Sequence, residues 1–122
     1  MPMAIRAVRG ATQLQADDEA ELVGAVVELV TEVLARNDLS TDDLVSVLFT
    51  STPDLRCQFP AAAARTLGIG DVPLLCASEL DIVGALPRVV RVMAHVESPL
   101  PRAQIQHVYL RGAEVLRQDL AQ

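Results

Sequence analysis

Hydrophobic residues recur at helical spacing over one long stretch of the chain. Leu22, Val26, Leu29, Val30 and Val33 follow one another at three- and four-residue intervals. Asp18, with Glu21 three positions on, has the spacing of a capping box, and Arg36-Asn37 closes the helix. Elsewhere the pattern is that of strands. Residues 3–9 alternate weakly and are ended by Gly10-Ala11-Thr12; residues 45–50 are apolar and β-branched; residues 72–76 form a short buried run. Gly84 and Pro87 break the segment before 89–96, which therefore reads as a strand, and residues 105–111 supply the last one. Pro60 before four alanines, with Gly68 as a stop, predicts a short helix. Ser40 to Asp43 is a turn or one helical turn, and Thr52-Pro53-Asp54 is turn chemistry. The order is strand, long helix, strand, short helix, three strands. It predicts an α+β fold: a mixed five-stranded sheet with one long and one short helix on one side.

Composition narrows this picture. The 122 residues make one domain, and the segment from Gly112 on is expected to be a mobile tail. Counting glycine but not tyrosine, about 55% of the chain is apolar, above the 45–50% usual for soluble domains. A small domain cannot hide that surplus alone, so a subunit interface in a closed homo-oligomer is expected. The formal charge of −6 argues against a nucleic-acid or anionic-membrane partner. All ten basic residues are arginine, the side chain best suited to gripping carboxylates. Cys57 and Cys76 fit a reducing compartment. No signal-peptide core and no run of 18 apolar residues is present, so a soluble, cytoplasmic protein is expected.

The candidate chemistry comes from strand alternation, since side chains two apart share a face. In 89–96 one face is Val90, Val92, Ala94 and Val96, while the other carries Val89, Arg91, Met93 and His95. A lone guanidinium among such neighbours costs several kcal/mol unless a protein carboxylate or a bound anion compensates it. In the last strand Val108 and Leu110 face the core, and His107, Tyr109 and Arg111 point the other way. The first strand ends one face with Arg9 and has Arg6 on the other. Arg9, Arg91 and Tyr109 can thus meet at one cleft, with Glu79 arriving from the loop after Cys76. Taken singly, each arginine is explained as well by a structural ion pair or a solvated charge. A Cys76–His107 nucleophilic pair lacks a supporting signature, and His95, His107 and the cysteines lack zinc-ligand spacing. Gly68-Ile69-Gly70-Asp71 is a turn, not a phosphate loop.

Several of these residues stand in a familiar order. They are Arg6 to Thr12 (RAVRGAT), Thr52-Pro53-Asp54-Leu55, Phe59-Pro60-Ala61, Val72-Pro73 with Cys76 and Glu79, Arg91-Val92-Met93, and His107-Val108-Tyr109-Leu110 with Val115-Leu116-Arg117. Over nearly its whole length the chain resembles the monofunctional chorismate mutases of the Bacillus type. That class forms trimeric pseudo-α/β barrels and is distinct from the all-helical class.

The resemblance implies an enzyme that converts chorismate to prephenate, toward phenylalanine and tyrosine, without a cofactor or metal. It implies a homotrimer with sites between subunits. In those sites Arg91 would contact the ether oxygen and a carboxylate of the substrate, while Arg9 and Tyr109 hold the side-chain carboxylate. Glu79, with the backbone at Cys76, would take the ring hydroxyl, so that Glu79 faces Arg91 across the substrate rather than pairing with it. Phe59, Ala61, Leu74, Leu75 and Leu116 would form walls, with Arg65 and Arg117 at the mouth. Two positions depart from the family pattern: Ala62 stands where lysine is common and Leu75 where threonine is common. The competing readings are another trimeric arginine-lined enzyme, such as a Rid-type imine deaminase, and a non-catalytic module binding an aromatic metabolite.

Overall fold

In the computed structural model the described residues are 2–117, with side chains as far as Leu116. Five strands form one mixed sheet: β1 (Ala4–Gln13), β2 (Leu44–Ser51), β3 (Leu74–Ser78), β4 (Val89–Ser98) and β5 (Val108–Leu110), in the order β3-β2-β4-β1-β5. β4 runs antiparallel to both β1 and β2, whereas β3 and β5 pair parallel with β2 and β1 at the two edges. The helices are α1 (Glu19–Arg36) and α2 (Pro60–Arg65).

The 3.6-residue pattern of α1 buries Leu22, Ala25, Val26, Leu29, Val30 and Val33. These pack with Val8, Phe49, Val90, Val92, Val96 and Val108 of the sheet and with Ala61, Ala63 and Ala64 of α2. One face of the sheet is thus covered by helices, as the order of elements predicts. The start of α1 differs in detail from a capping box. Asp18 accepts the Glu21 N–H at 2.8 Å, but the Glu21 carboxylate reaches back to the N–H groups of Gln15 and Ala16, pinning the loop before the helix.

Three strand boundaries move. β1 does not stop at Gly10-Ala11-Thr12 but runs on to Gln13. Gly10 is there because of close packing: a Cβ at this position would lie 3.0 Å from Leu29 Cδ1, Val92 Cγ1 and the Val108 carbonyl oxygen. β3 occupies Leu74–Ser78 rather than 72–76, because Pro73 has no N–H and offers β2 only its carbonyl, which takes the Val47 N–H at 3.0 Å. β5 shrinks to three residues: Asn37 holds the Gln106 backbone before it, and Arg111 turns into left-handed space (φ 55°) after it.

The chain beyond Gly112 begins with an ordered turn. Residues Ala113–Arg117 form a 3-10 helix whose Ala113 is fully buried against Ala11, Val89 and Tyr109, with Leu116 packed beside them. The rest of the expected mobile tail lies outside the described residues.

Candidate active site

Register and pleat place the chemistry on the face of the sheet that the helices leave bare. Thr50, Arg91, Ala11 and Tyr109 are paired in one row across β2, β4, β1 and β5. The adjacent row is Leu48, Met93 and Arg9. Ala11, between Arg91 and Tyr109, is fully buried beneath Ala113 and does not line the cavity. Arg9, Leu48, Thr50, Arg91, Met93 and Tyr109 line a cavity of about 220 Å³. The convergence of Arg9, Arg91 and Tyr109 anticipated from alternation is therefore present. Thr50 was not anticipated; its signal was the alternation of Leu48 and Thr50 in a strand that reads as wholly apolar.

The electrostatics of Arg91 differ from expectation. Its side chain is 43% exposed, not enclosed among valines, and its Nε lies 2.9 Å from Oε2 of Glu79. The two groups expected to face each other across a ligand are an ion pair within the chain. The same Glu79 oxygen accepts a hydrogen bond from Thr50 Oγ1 at 2.6 Å, and the Glu79 N–H donates to the Ser51 carbonyl. Glu79 is thereby fixed in place, with its side chain 15% exposed. The pair is close in distance but poor in direction: Arg91 Nε is buried and makes no hydrogen bond among the described residues. A guanidinium this exposed gains little from its partner, of the order of 0–1 kcal/mol, so it can be redirected at small cost. The Arg9 side chain has no ion-pair or hydrogen-bond partner among the described residues, and Arg9 is held through its backbone, whose N–H donates to His107 Nδ1 at 3.0 Å.

The remaining candidates gather elsewhere. Phe59, Ala61, Arg65, Leu74, Leu75 and Cys76 line a second cavity of about 350 Å³, where α2 meets the β3 edge. Leu74 and Cys76 pair with the core residues Val47 and Phe49, so they lie on the helix side of the sheet, away from Arg91. Phe59 and Leu75 are 69% and 66% exposed. Within one chain the charged cluster and this apolar rim do not share a cavity. Leu116 sits instead beside the Tyr109 cluster, and the side chain of Arg117 lies outside the described residues. Ala62 is a half-buried position of α2. Cys76 and His107 belong to opposite edges of the sheet, which removes the nucleophilic pair. No group of three or more potential metal ligands occurs among the described residues, and no helix there is long and apolar enough to cross a membrane.

This arrangement offers two guanidinium groups and a phenol hydroxyl to an anion, beside a carboxylate held by Thr50. The chain as a whole has known relatives. The family model for chorismate mutase type I matches residues 5–120. The chain is 41% identical over 120 residues to the chorismate mutase AroH of Bacillus subtilis, covering 98% of this chain and 94% of that one. It is 43% identical over 117 residues to the AroH chorismate mutase of Thermus thermophilus, covering 95% and 96%. The solved chorismate mutase of Clostridium thermocellum superimposes with a TM-score of 0.87 at 41% identity, over 89% of this chain and 97% of that one.

Proposed function

Since this chain belongs to the type I chorismate mutase family and is a chorismate mutase, we propose that its Arg9–Arg91 cavity is where chorismate becomes prephenate. The reaction is an intramolecular [3,3] rearrangement, so catalysis needs no nucleophile and no proton relay. It needs the dianion held in its compact conformer, which is a proximity effect, and charge stabilised as the ether C–O bond breaks.

The observation that carries the assignment is a pair of arginines in one cavity, one whose side chain has no partner among the described residues and one whose partner is misaligned. In a chain of charge −6 such an arrangement is held ready for an anion. Arg91 turns its guanidinium from Glu79 to the ether oxygen and a substrate carboxylate. Arg9 and Tyr109 hold the side-chain carboxylate. Glu79, steadied by Thr50, takes the ring hydroxyl and complements positive character that develops on the ring.

The rim of Phe59, Ala61, Arg65, Leu74, Leu75 and the Cys76 backbone completes the site from a neighbouring copy in a homotrimer. Its lining of a cavity separate from that of Arg91 within one chain supports this, as do the exposed Phe59, Leu75, Leu80, Ile82 and Val83. Leu116 closes the Tyr109 side, and Arg65 and Arg117 assist at the mouth. The reaction belongs in the cytoplasm, in keeping with two free cysteines. Loss of chorismate absorbance on adding purified protein tests the assignment; no loss at micromolar protein would sink it.

A further inference from the structure

The carboxylate end of this site is supported by a chain of contacts that begins at the far end of α1. Asn37, just after the helix, is only 2% exposed, and both of its side-chain polar atoms are used. Its Nδ2 donates to the carbonyls of Val33 and Gln106 at 2.8 and 2.9 Å, and its Oδ1 accepts the Gln106 N–H at 2.7 Å. Gln106 is thus held at both backbone groups and drawn toward the helix. Parallel pairing of β5 with β1 begins only at Gly10↔Val108. Arg9, one residue earlier, has no β5 carbonyl to receive its N–H. The imidazole of His107 takes that place, with Nδ1 accepting at 3.0 Å. An acceptor Nδ1 fixes the ring as the neutral tautomer protonated at Nε2.

We infer that Asn37 and His107 form a clamp that positions Arg9 and Tyr109, and that His107 is a positioning residue for substrate capture. The inference rests on the assignment of those two residues to the side-chain carboxylate. Arg9 lies one residue before the paired run of β1, and Tyr109 lies inside the run of β5. The clamp therefore sets the spacing between the two carboxylate contacts. It does so on the β5 side of β1, where that ladder has run out; on the other side Arg9 is paired with Met93 of β4. An error of about 1 Å at such contacts can cost of the order of 10² in rate.

The test compares the full-length protein with its His107→Ala, His107→Gln and His107→Asn variants. The asparagine oxygen falls at the Nδ1 position, whereas the longer glutamine carries its amide toward the Nε2 position. Loss of one hydrogen bond predicts a KM raised about 3- to 10-fold in the Ala and Gln variants, with kcat changed less. Amide hydrogen exchange at Arg9 rises in those two variants by a similar factor. The Asn variant restores both readouts. A His107→Ala variant that keeps the wild-type KM and Arg9 protection would overturn the clamp. So would an Asn variant no better than Ala at equal melting temperature. Arg9→Ala serves as the reference: if it leaves KM unchanged, the carboxylate assignment fails by itself, while Arg9 exchange in the His107 variants still decides the clamp.

Discussion

At the scale of single residues, the environment of each titratable group decides what it does, and two groups here show opposite outcomes. Arg91 keeps a partner too poorly aligned to hold it, which leaves it available. Cys57 is the reverse case. Burial first, then the hydrogen bond to Asp17 and its negative charge, push the thiol from 9.0 up to about 11. The Asp17 carboxyl is lowered in turn, by the thiol and by the N–H groups of Arg56 and Cys57. A thiol whose folded value lies above its unfolded one stabilises the fold fully below the unfolded value and loses that contribution as pH rises through the folded one. The stability advantage of the wild type over Cys57→Ala should therefore shrink between pH 9 and about 11. Denaturant titrations across that interval would show it, and an unchanging advantage would contradict it. For Asp17 the sign is opposite: its contribution is present above the ordinary carboxylate value and is lost as pH falls below it.

Elements translate sequence into placement, and here the limits of legibility are physical. Alternation set Arg91, Arg9 and Tyr109 on one face correctly because a strand's side-chain period is fixed whatever its neighbours are. It could not show that Glu79 folds back onto Arg91, since that contact arises from a loop held by Ser51 and Thr50. Nor could it show Cys76 on the helix side, because the short run around it is apolar at Leu74, Leu75 and Cys76 alike and so marks neither face. Gly10 looked like a stop for the first strand and is instead its tightest contact. Gly10→Ala would press a methyl against Leu29, Val92 and the rigid Val108 carbonyl. The predicted cost is about 1–3 kcal/mol, together with weaker substrate binding, because β1 and β5 are forced apart beside Arg9. Chemical denaturation and KM would both register it, and wild-type values for the two would refute the role given to Gly10.

For the whole molecule, the surplus of apolar residues raises the expectation of an oligomer, and the proposed homotrimer would give the two separate cavities one catalytic use. The charged cluster sits on the bare face of the sheet and the apolar rim beyond its β3 edge, so a single chain holds each half without joining them. Specific activity should then fall on dilution in step with trimer dissociation measured by sedimentation. Full activity in a monomer fraction would contradict a shared site. Family membership, the order of elements and the charged cluster were all legible in the sequence, and sites between subunits were an expectation from the resemblance; that the charged cluster and the apolar rim line separate cavities was not legible, because it depends on how the loops around β3 and α2 pack.

The most direct measurement of the central claim is chorismate turnover by Arg91→Ala protein that still melts and sediments like the wild type. If Arg91 is the donor to the breaking ether bond, as proposed, its removal predicts a fall in kcat of at least about 10²–10³-fold. An unchanged kcat would contradict the role assigned to Arg91.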